Sequence, residues 1–141
     1  MNTNSRFTVA IHTLTLLAMY PDEPVTSEYV ASSVNTNPVV IRRILGALRS
    51  ERLVTSQSGN GGGWRLGREA EKITLRDVYR AVDNEPLFSL HNRPPNPNCP
   101  VGRHIQHTLT EHFTSATRAL EDDLERTTLA DVLHEVLAGA G

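Results

Sequence analysis

Six arginines stand between Arg42 and Arg68, a segment that contains a single acidic residue, Glu51. The chain has a formal net charge of −2, yet residues 1–80 hold ten Lys and Arg against seven acids, and residues 81–141 hold four against nine. A concentrated positive field attracts phosphate groups whatever the average charge is. The sequence therefore predicts that one end of the molecule binds a polyanion.

Arg42 and Arg43 follow a strong signal for a helix start. Asn37 is a preferred capping residue, and Pro38 suits the first helical position because its missing N–H is not needed there. Apolar residues then recur at helical spacing at Ile41, Ile44, Leu45 and Leu48. An arginine in the first turns of such a helix can grip O6 and N7 of guanine. We predict that at least one of the two arginines contacts double-stranded DNA, with phosphates the more common partner.

Further DNA contacts are predicted around this helix. Asn37, Val39 and Val40 lie at its start, where an exposed valine could touch a thymine methyl group or could instead pack on the preceding helix. Three more arginines are predicted to neutralise phosphates, namely Arg49, Arg52 and Arg65. Polar contacts are expected from Gln57, Ser58 and Asn60.

Cys99 is the only cysteine, so the chain can form no intrachain disulfide. It precedes Pro100 at a predicted helix start, where the helix dipole and free N–H groups would stabilise a thiolate. This position favours redox sensing by Cys99, and the alternative is a small packing residue. His104 and His107 could join Cys99 as metal ligands within or across chains. Because surface or interface histidines are more common, we predict no metal site and no cofactor.

No set of residues predicts catalysis. The five residues Gly59–Gly63 match neither of the glycine-rich phosphate-binding patterns, GxGxxG and GK[ST]. No Ser/His/Asp or Cys/His combination has a persuasive spacing either. The sequence predicts that the protein is not an enzyme.

Three helical segments and a hairpin position the predicted DNA contacts. A first helix is predicted from the spacing of Phe7, Ile11, Leu14 and Ala18, and it ends before Pro21. Thr26 opens a short second helix that ends near Asn35, and the helix capped by Asn37 is the third. Two short helices joined by a tight turn form a helix-turn-helix. The run 53–56, the glycines and the run 64–66 then read as a β-hairpin wing.

A fourth helix begins at a capping box, Thr74 to Asp77, and ends near Asp83. Residues 84–100 contain five prolines and are predicted to be an irregular loop. A long helix over 101–126 is predicted from Val101, Ile105, Leu109, Phe113, Ala116, Leu120 and Leu124. One small domain cannot cover such a stripe, so we expect a homodimer through it. A capping box at Thr128 opens a last helix, which is expected to pack alongside the first.

The predicted fold class is mainly α, a winged helix-turn-helix with a small β-hairpin wing and a long C-terminal dimerisation helix. The predicted division is 1–83 for DNA binding, 84–100 for the loop, and 101–141 for the dimerisation and last helices. The N-terminus shows no signal peptide, and the longest apolar stretch, 14–20, is too short to span a bilayer. A cytoplasmic protein without membrane contact is therefore expected.

Three segments resemble the IscR/NsrR/CymR family of winged-helix repressors, also called the Rrf2 family. They are the wing 59–67, the helix 73–82 behind it, and the recognition helix with its exit, 41–54. The resemblance implies a dimer that binds a pseudo-palindromic operator. Cluster-binding members have three cysteines in the loop where this chain has only Cys99, so a three-thiolate iron–sulfur site is absent. Many family wings also have an arginine where this chain has Ser58.

The sequence as a whole predicts a sequence-specific DNA-binding transcriptional regulator. We expect a homodimeric repressor that oxidation of Cys99 switches. One alternative is a metal- or small-ligand-sensing regulator with the same DNA-binding end. Another is a winged-helix module that binds proteins. A steep fall of binding with salt would favour DNA over a protein partner, because only DNA releases condensed counterions.

Overall fold

The computed structural model describes residues 3–83 and 85–140. They are mostly helical, with one two-stranded antiparallel hairpin, as the sequence predicts. The chain divides into two compact units, one formed by Met1–Asn84 with Leu124–Gly141 and the other by Glu85–Asp123. No helix among the described residues is long and apolar enough to cross a membrane.

Six α-helices and two strands are present within residues 3–83 and 85–140. The helices are α1 Thr3–Met19, α2 Ser27–Val34, α3 Pro38–Ser50, α4 Leu75–Val82, α5 Pro100–Glu125 and α6 Leu129–Ala140, and the strands are β1 Val54–Gln57 and β2 Gly63–Leu66. A 3₁₀ turn, Ala70–Lys72, precedes α4. The predicted caps of α2 and α3 are both present, because the side chains of Thr26 and Asn37 accept hydrogen bonds from the backbone N–H groups of Tyr29 and Val39.

The first strand, Val54–Gln57, lies one residue later than the predicted run 53–56 because of the way α3 ends. Arg52 has a left-handed backbone with φ 60°, and its N–H donates to the carbonyl of Arg49 at 2.9 Å. The N–H of Leu53 reaches back to the carbonyl of Leu48 at 3.0 Å. This pair of bonds is a Schellman motif. Leu53 therefore belongs to the capping motif that follows α3, and the strand begins at Val54.

A single apolar cluster forms the core of the winged-helix unit. Its largest fully buried side chains are Leu14, Leu17, Val30, Ile41, Ile44, Leu45, Leu48, Leu53, Val54, Ile73, Val78 and Leu129. They come from α1, α2, α3, α4, α6, β1 and the segments between them. The buried face of α3 consists of Ile41, Ile44, Leu45 and Leu48. Burial of this face leaves the opposite face of the helix in solvent.

The last helix packs against α1, as predicted. Leu129 at its start is fully buried in the winged-helix core. The N–H of Leu129 donates to the carbonyl of Ile73 at 2.9 Å, and the N–H of Leu75 donates to the carbonyl of Thr127 at 2.9 Å. The division at 83 and 101 stays a prediction, and the structure adds that α6 folds back onto the winged-helix unit.

The second unit consists of an irregular segment and most of α5. Phe88 stacks on Phe113 with ring centroids 4.7 Å apart. Gly102 lies so close to the segment that a Cβ atom there would come within 2.3 Å of the carbonyl oxygen of Asn96. Among the described residues of α5, none is fully buried. The stripe predicted from the sequence is therefore only partly covered by its own chain.

The contacts of Leu129 generate a stability prediction. Leu129→Ala should lower the free energy of unfolding by about 2–5 kcal/mol, because it removes a buried leucine from the core. Leu137 lies on the same helix and is 50% exposed. Leu137→Ala should therefore change the free energy of unfolding by no more than about 0.5 kcal/mol. Urea unfolding at one protein concentration compares the two variants. Equal small effects would show that α6 is not part of the cooperative unit.

Candidate nucleic-acid interface

The exposed face of α3 presents residues that can read DNA. Val39 is 48% exposed, and Arg42 and Arg43 are exposed one turn further along the helix. Val40 is half-buried and packs on the core. Of the two valines, Val39 is thus available to a thymine methyl group, whereas Val40 takes the packing role that was its alternative.

The two adjacent arginines have different surroundings. Arg42 forms an ion pair with Glu28 in the first turn of α2, in which its Nη2 donates to a carboxylate oxygen. Arg43 makes no ion pair within the part of the chain that the structure describes. The guanidinium of Arg43 can therefore swing to any nearby phosphate, while that of Arg42 is held beside α2.

A second cluster connects the end of α3 to the wing. The guanidinium carbon of Arg49 lies 5.6 Å from the ring centroid of Trp64, and its Nη1 is 3.5 Å from the hydroxyl of Ser56. Ser56 and Trp64 are cross-strand partners in the hairpin. Trp64 also donates from Nε1 to the hydroxyl oxygen of Ser27 at 3.2 Å. One indole ring thus contacts residues of the helix-turn-helix at two points.

Val25 attaches the wing to the segment before α2. Its N–H donates to the carbonyl of Trp64 at 2.9 Å, and the N–H of Trp64 donates back at 2.8 Å. Gly63 has φ 154°, and a Cβ atom there would come within 2.6 Å of the carbonyl oxygen of Val25. Val25, Ser27 and Trp64 are positioning residues that were not predicted from the sequence. A lone valine before a helix cap carries no signal of strand pairing, whereas a tryptophan beside the wing glycines is a signal from which Trp64 could have been identified.

The tip of the wing is exposed and turns on glycine. Gly59 has φ 90° and Gly61 has φ 75°, and the N–H of Gly62 donates to the carbonyl of Gly59 at 3.0 Å. These backbone angles suit glycine and strain other residues. The three predicted polar contacts, Gln57, Ser58 and Asn60, are all exposed at this tip.

Arg52 and Arg65 also have structural roles. Arg52 is exposed but ends α3 through its left-handed backbone. Arg65 donates from its two terminal nitrogens to the carbonyls of Pro21 and Asp22, at 3.4 and 3.3 Å. It pairs with Thr55, and because successive strand residues face opposite ways, it lies on the other side of the hairpin from Arg49 and Trp64. Phosphate contact by Arg65 stays a prediction, and the structure does not bring it to the cluster around Arg49.

Cys99 directly precedes α5 in the second unit, as expected. Its carbonyl accepts from the N–H of Arg103 at 2.8 Å, and its thiol is exposed. Hydrogen bonds from the backbone N–H groups of Gly102 and Val101 lower the pKa of the Cys99 thiol. The side chain of Arg103 turns away and donates to the carbonyl of Pro97 at 2.9 Å. The thiolate is therefore favoured by the N–H groups at the helix N-terminus and not by the side chain of Arg103.

The available ligands do not fit an iron–sulfur cluster. Cys99 is the only thiol, and within residues 3–83 and 85–140 no three His, Cys, Asp or Glu side chains form a metal-binding group. Nε2 of His107 lies 3.8 Å from Oε1 of Glu111, which is one turn further along α5. A single chain thus lacks the set of thiolates that such a cluster requires.

Comparison with known proteins identifies relatives over nearly the whole chain. The family model described as "Rrf2: Iron-dependent Transcriptional regulator" matches residues 3–135. The chain is similar to YwnA of Bacillus subtilis, which is named as an HTH-type transcriptional regulator. The two are 46% identical over 134 residues, which is 94% of this chain and 98% of YwnA.

Solved structures share the fold. A crystal structure described as that of a DNA binding protein has 42% sequence identity and a TM-score of 0.75, and the match covers 91% of this chain and 98% of the other. CymR, the global cysteine regulator of Bacillus subtilis, has a TM-score of 0.67 over 96% of this chain and 95% of its own. Its 20% identity supports similarity of fold alone.

Proposed function

The chain belongs to the Rrf2 family of transcriptional regulators and is not an enzyme, and from this premise we propose that it is a homodimeric repressor that binds a pseudo-palindromic operator. The observation that carries the proposal is the two-sided character of α3. One face is buried in the core, and the other presents Val39, Arg42 and Arg43 to solvent.

The neighbouring elements support groove binding by α3. A recognition helix enters the major groove with its N-terminal residues against the bases, and Val39, Arg42 and Arg43 lie in its first turns. Arg49 and Arg52 follow at the other end, where phosphates flank a bound helix. The exposed wing tip, with Gln57, Ser58 and Asn60, adds polar donors and acceptors for the backbone or the minor groove.

Replacing both Arg42 and Arg43 by alanine should abolish specific binding. Each base contact contributes about 1–3 kcal/mol, so we expect affinity for a selected operator to fall by about 100-fold or more. Sequences are first selected from random DNA with the wild-type protein, and binding is then measured by fluorescence anisotropy. The matched control, Arg93→Ala with Arg118→Ala, removes two exposed arginines outside the winged helix. Wild-type affinity in the α3 variant would show that α3 does not read the operator.

The homodimer is supported by the stripe of α5 that its own chain covers only partly. This helix has 26 residues, and none of them is fully buried within the chain. Ile105, Leu109 and Phe113 remain only half-buried on one face. An apolar face of this length is best covered by the same helix in a second copy, because two-fold contacts place identical stripes against each other.

We expect light scattering to give twice the chain mass of 15.6 kDa at micromolar concentration. Leu109→Glu should give the mass of one chain, because a carboxylate in the stripe would be desolvated without a partner. Thr108 is an exposed neighbour on the same helix, and Thr108→Glu should remain dimeric. A wild-type mass of 15.6 kDa in both low and high salt would refute the homodimer.

The proposed switch is oxidation of Cys99. Its thiol is exposed and its pKa is lowered by backbone N–H groups at the start of α5. A lower pKa increases the thiolate fraction at neutral pH, and the thiolate is the form that oxidants attack. Oxidation adds bulk or charge at the root of the dimerisation helix. It could thereby change the spacing of the two recognition helices and release the operator.

Diamide should weaken operator binding by the wild-type protein, and dithiothreitol should restore it. In this reaction two thiols form one disulfide, and diamide takes up the two electrons and two protons. Because each chain has one cysteine, the disulfide joins Cys99 to a second copy or to a small thiol. Cys99→Ser should bind the operator as tightly as wild type and ignore diamide. If Cys99→Ser lost operator binding in diamide just as wild type does, Cys99 would not be the sensor.

A further inference from the structure

We propose that Glu28 is a positioning residue for base recognition, holding Arg42 toward the bases and away from phosphates. This inference rests on the proposed operator binding by α3. It assigns a role in DNA reading to an acidic residue on α2. From the charge pattern of the sequence alone, this residue would be expected only to weaken binding to a polyanion.

Arg42 and Arg43 differ in their surroundings. Both are exposed in the same turns of α3, but within the described part of the chain only Arg42 has a carboxylate partner. Glu28 donates nothing and accepts from Nη2 of Arg42. A guanidinium has five N–H donors in a fixed plane, so the remaining donors of Arg42 stay available for O6 and N7 of a guanine.

Glu28 lies on a firmly held part of the backbone. Thr26, two residues before it, caps α2 by accepting from the N–H of Tyr29 at 3.1 Å. Ser27, directly before it, is buried and accepts from Trp64 at 3.2 Å. The backbone of Glu28 is thereby fixed relative to the rest of α2 and to the wing. A carboxylate on this backbone can define the plane of the Arg42 guanidinium before DNA arrives.

The Arg42–Glu28 pair contributes little to stability. The side chains of Arg42 and Glu28 are 51% and 63% exposed, and exposed pairs typically contribute about 0–1 kcal/mol. Glu28 also interacts favourably with the dipole at the start of α2, but an acid anywhere in that first turn would do so, and this does not require a carboxylate beside Arg42, where it repels phosphates. Specificity accounts for that placement, because a repulsive element weakens binding to every sequence, while an oriented arginine strengthens binding to the correct one.

Glu28→Gln keeps the shape of the side chain and removes its charge. We expect the variant to bind nonspecific duplex DNA about threefold more tightly at low salt, because one repulsive charge is lost. We also expect it to discriminate about tenfold less between guanine and adenine at the operator position that Arg42 reads. That position is identified as the one whose preference disappears from the selected sequences in Arg42→Ala.

The matched control is Glu51→Gln. Glu51 is exposed at the other end of α3 and forms no ion pair within the described residues. Its variant removes the same charge, so it should also tighten nonspecific binding while leaving base discrimination intact. In an Arg42→Ala background, Glu28→Gln should cause no further loss of discrimination, because Glu28 acts through Arg42.

The outcomes separate this inference from the proposed function. If wild type enriches an operator and Glu28→Gln discriminates as well as wild type, Glu28 does not position Arg42. If Glu28→Gln still lowers discrimination when Arg42 is absent, the carboxylate contacts the base itself, and the positioning role is wrong. If wild type enriches no sequence, the proposed operator binding fails first, and the role of Glu28 fails with it.

Discussion

Burial of one face of α3 is the constraint on which the rest of the structure depends. Ile41, Ile44, Leu45 and Leu48 are all fully buried, so the helix cannot rotate about its axis without exposing several of them to water. Each such side chain contributes about 1.5–3 kcal/mol by its burial. The outward direction of Val39, Arg42 and Arg43 follows directly from this anchoring, because those residues occupy the remaining face.

The wing is positioned by contacts that also pass through the helix-turn-helix. Trp64 pairs with Val25 through two backbone hydrogen bonds and contacts Ser27 and Arg49 with its ring. Residues distant in sequence thus hold the hairpin against α2 and α3. The same contacts fix the start of α2, where Glu28 meets Arg42. A hairpin this short is marginally stable alone, so its orientation depends on this anchoring.

The two compact units differ in how completely they bury apolar residues. The winged-helix unit has a closed core to which α6 contributes Leu129. The second unit has a long helix without a fully buried residue among those described. A helix of this kind gains most of its stability from packing, and a second copy is the proposed source of that packing. Cys99 lies where this helix begins, which is why its chemistry could influence assembly.

The sequence by itself determined the local features, because capping residues, prolines, glycines and apolar periodicity act over a few residues. The caps at Thr26, Asn37, Thr74 and Thr128 and the wing glycines could all be read directly from it. Only the tertiary structure decided which residues from distant parts of the sequence meet. The pairing of Arg42 with Glu28, the attachment of Arg65 to the carbonyls of Pro21 and Asp22, and the Val25 bridge join residues 14 to 44 positions apart. No spacing rule connects such residues, since their approach depends on how the buried faces of separate helices pack together.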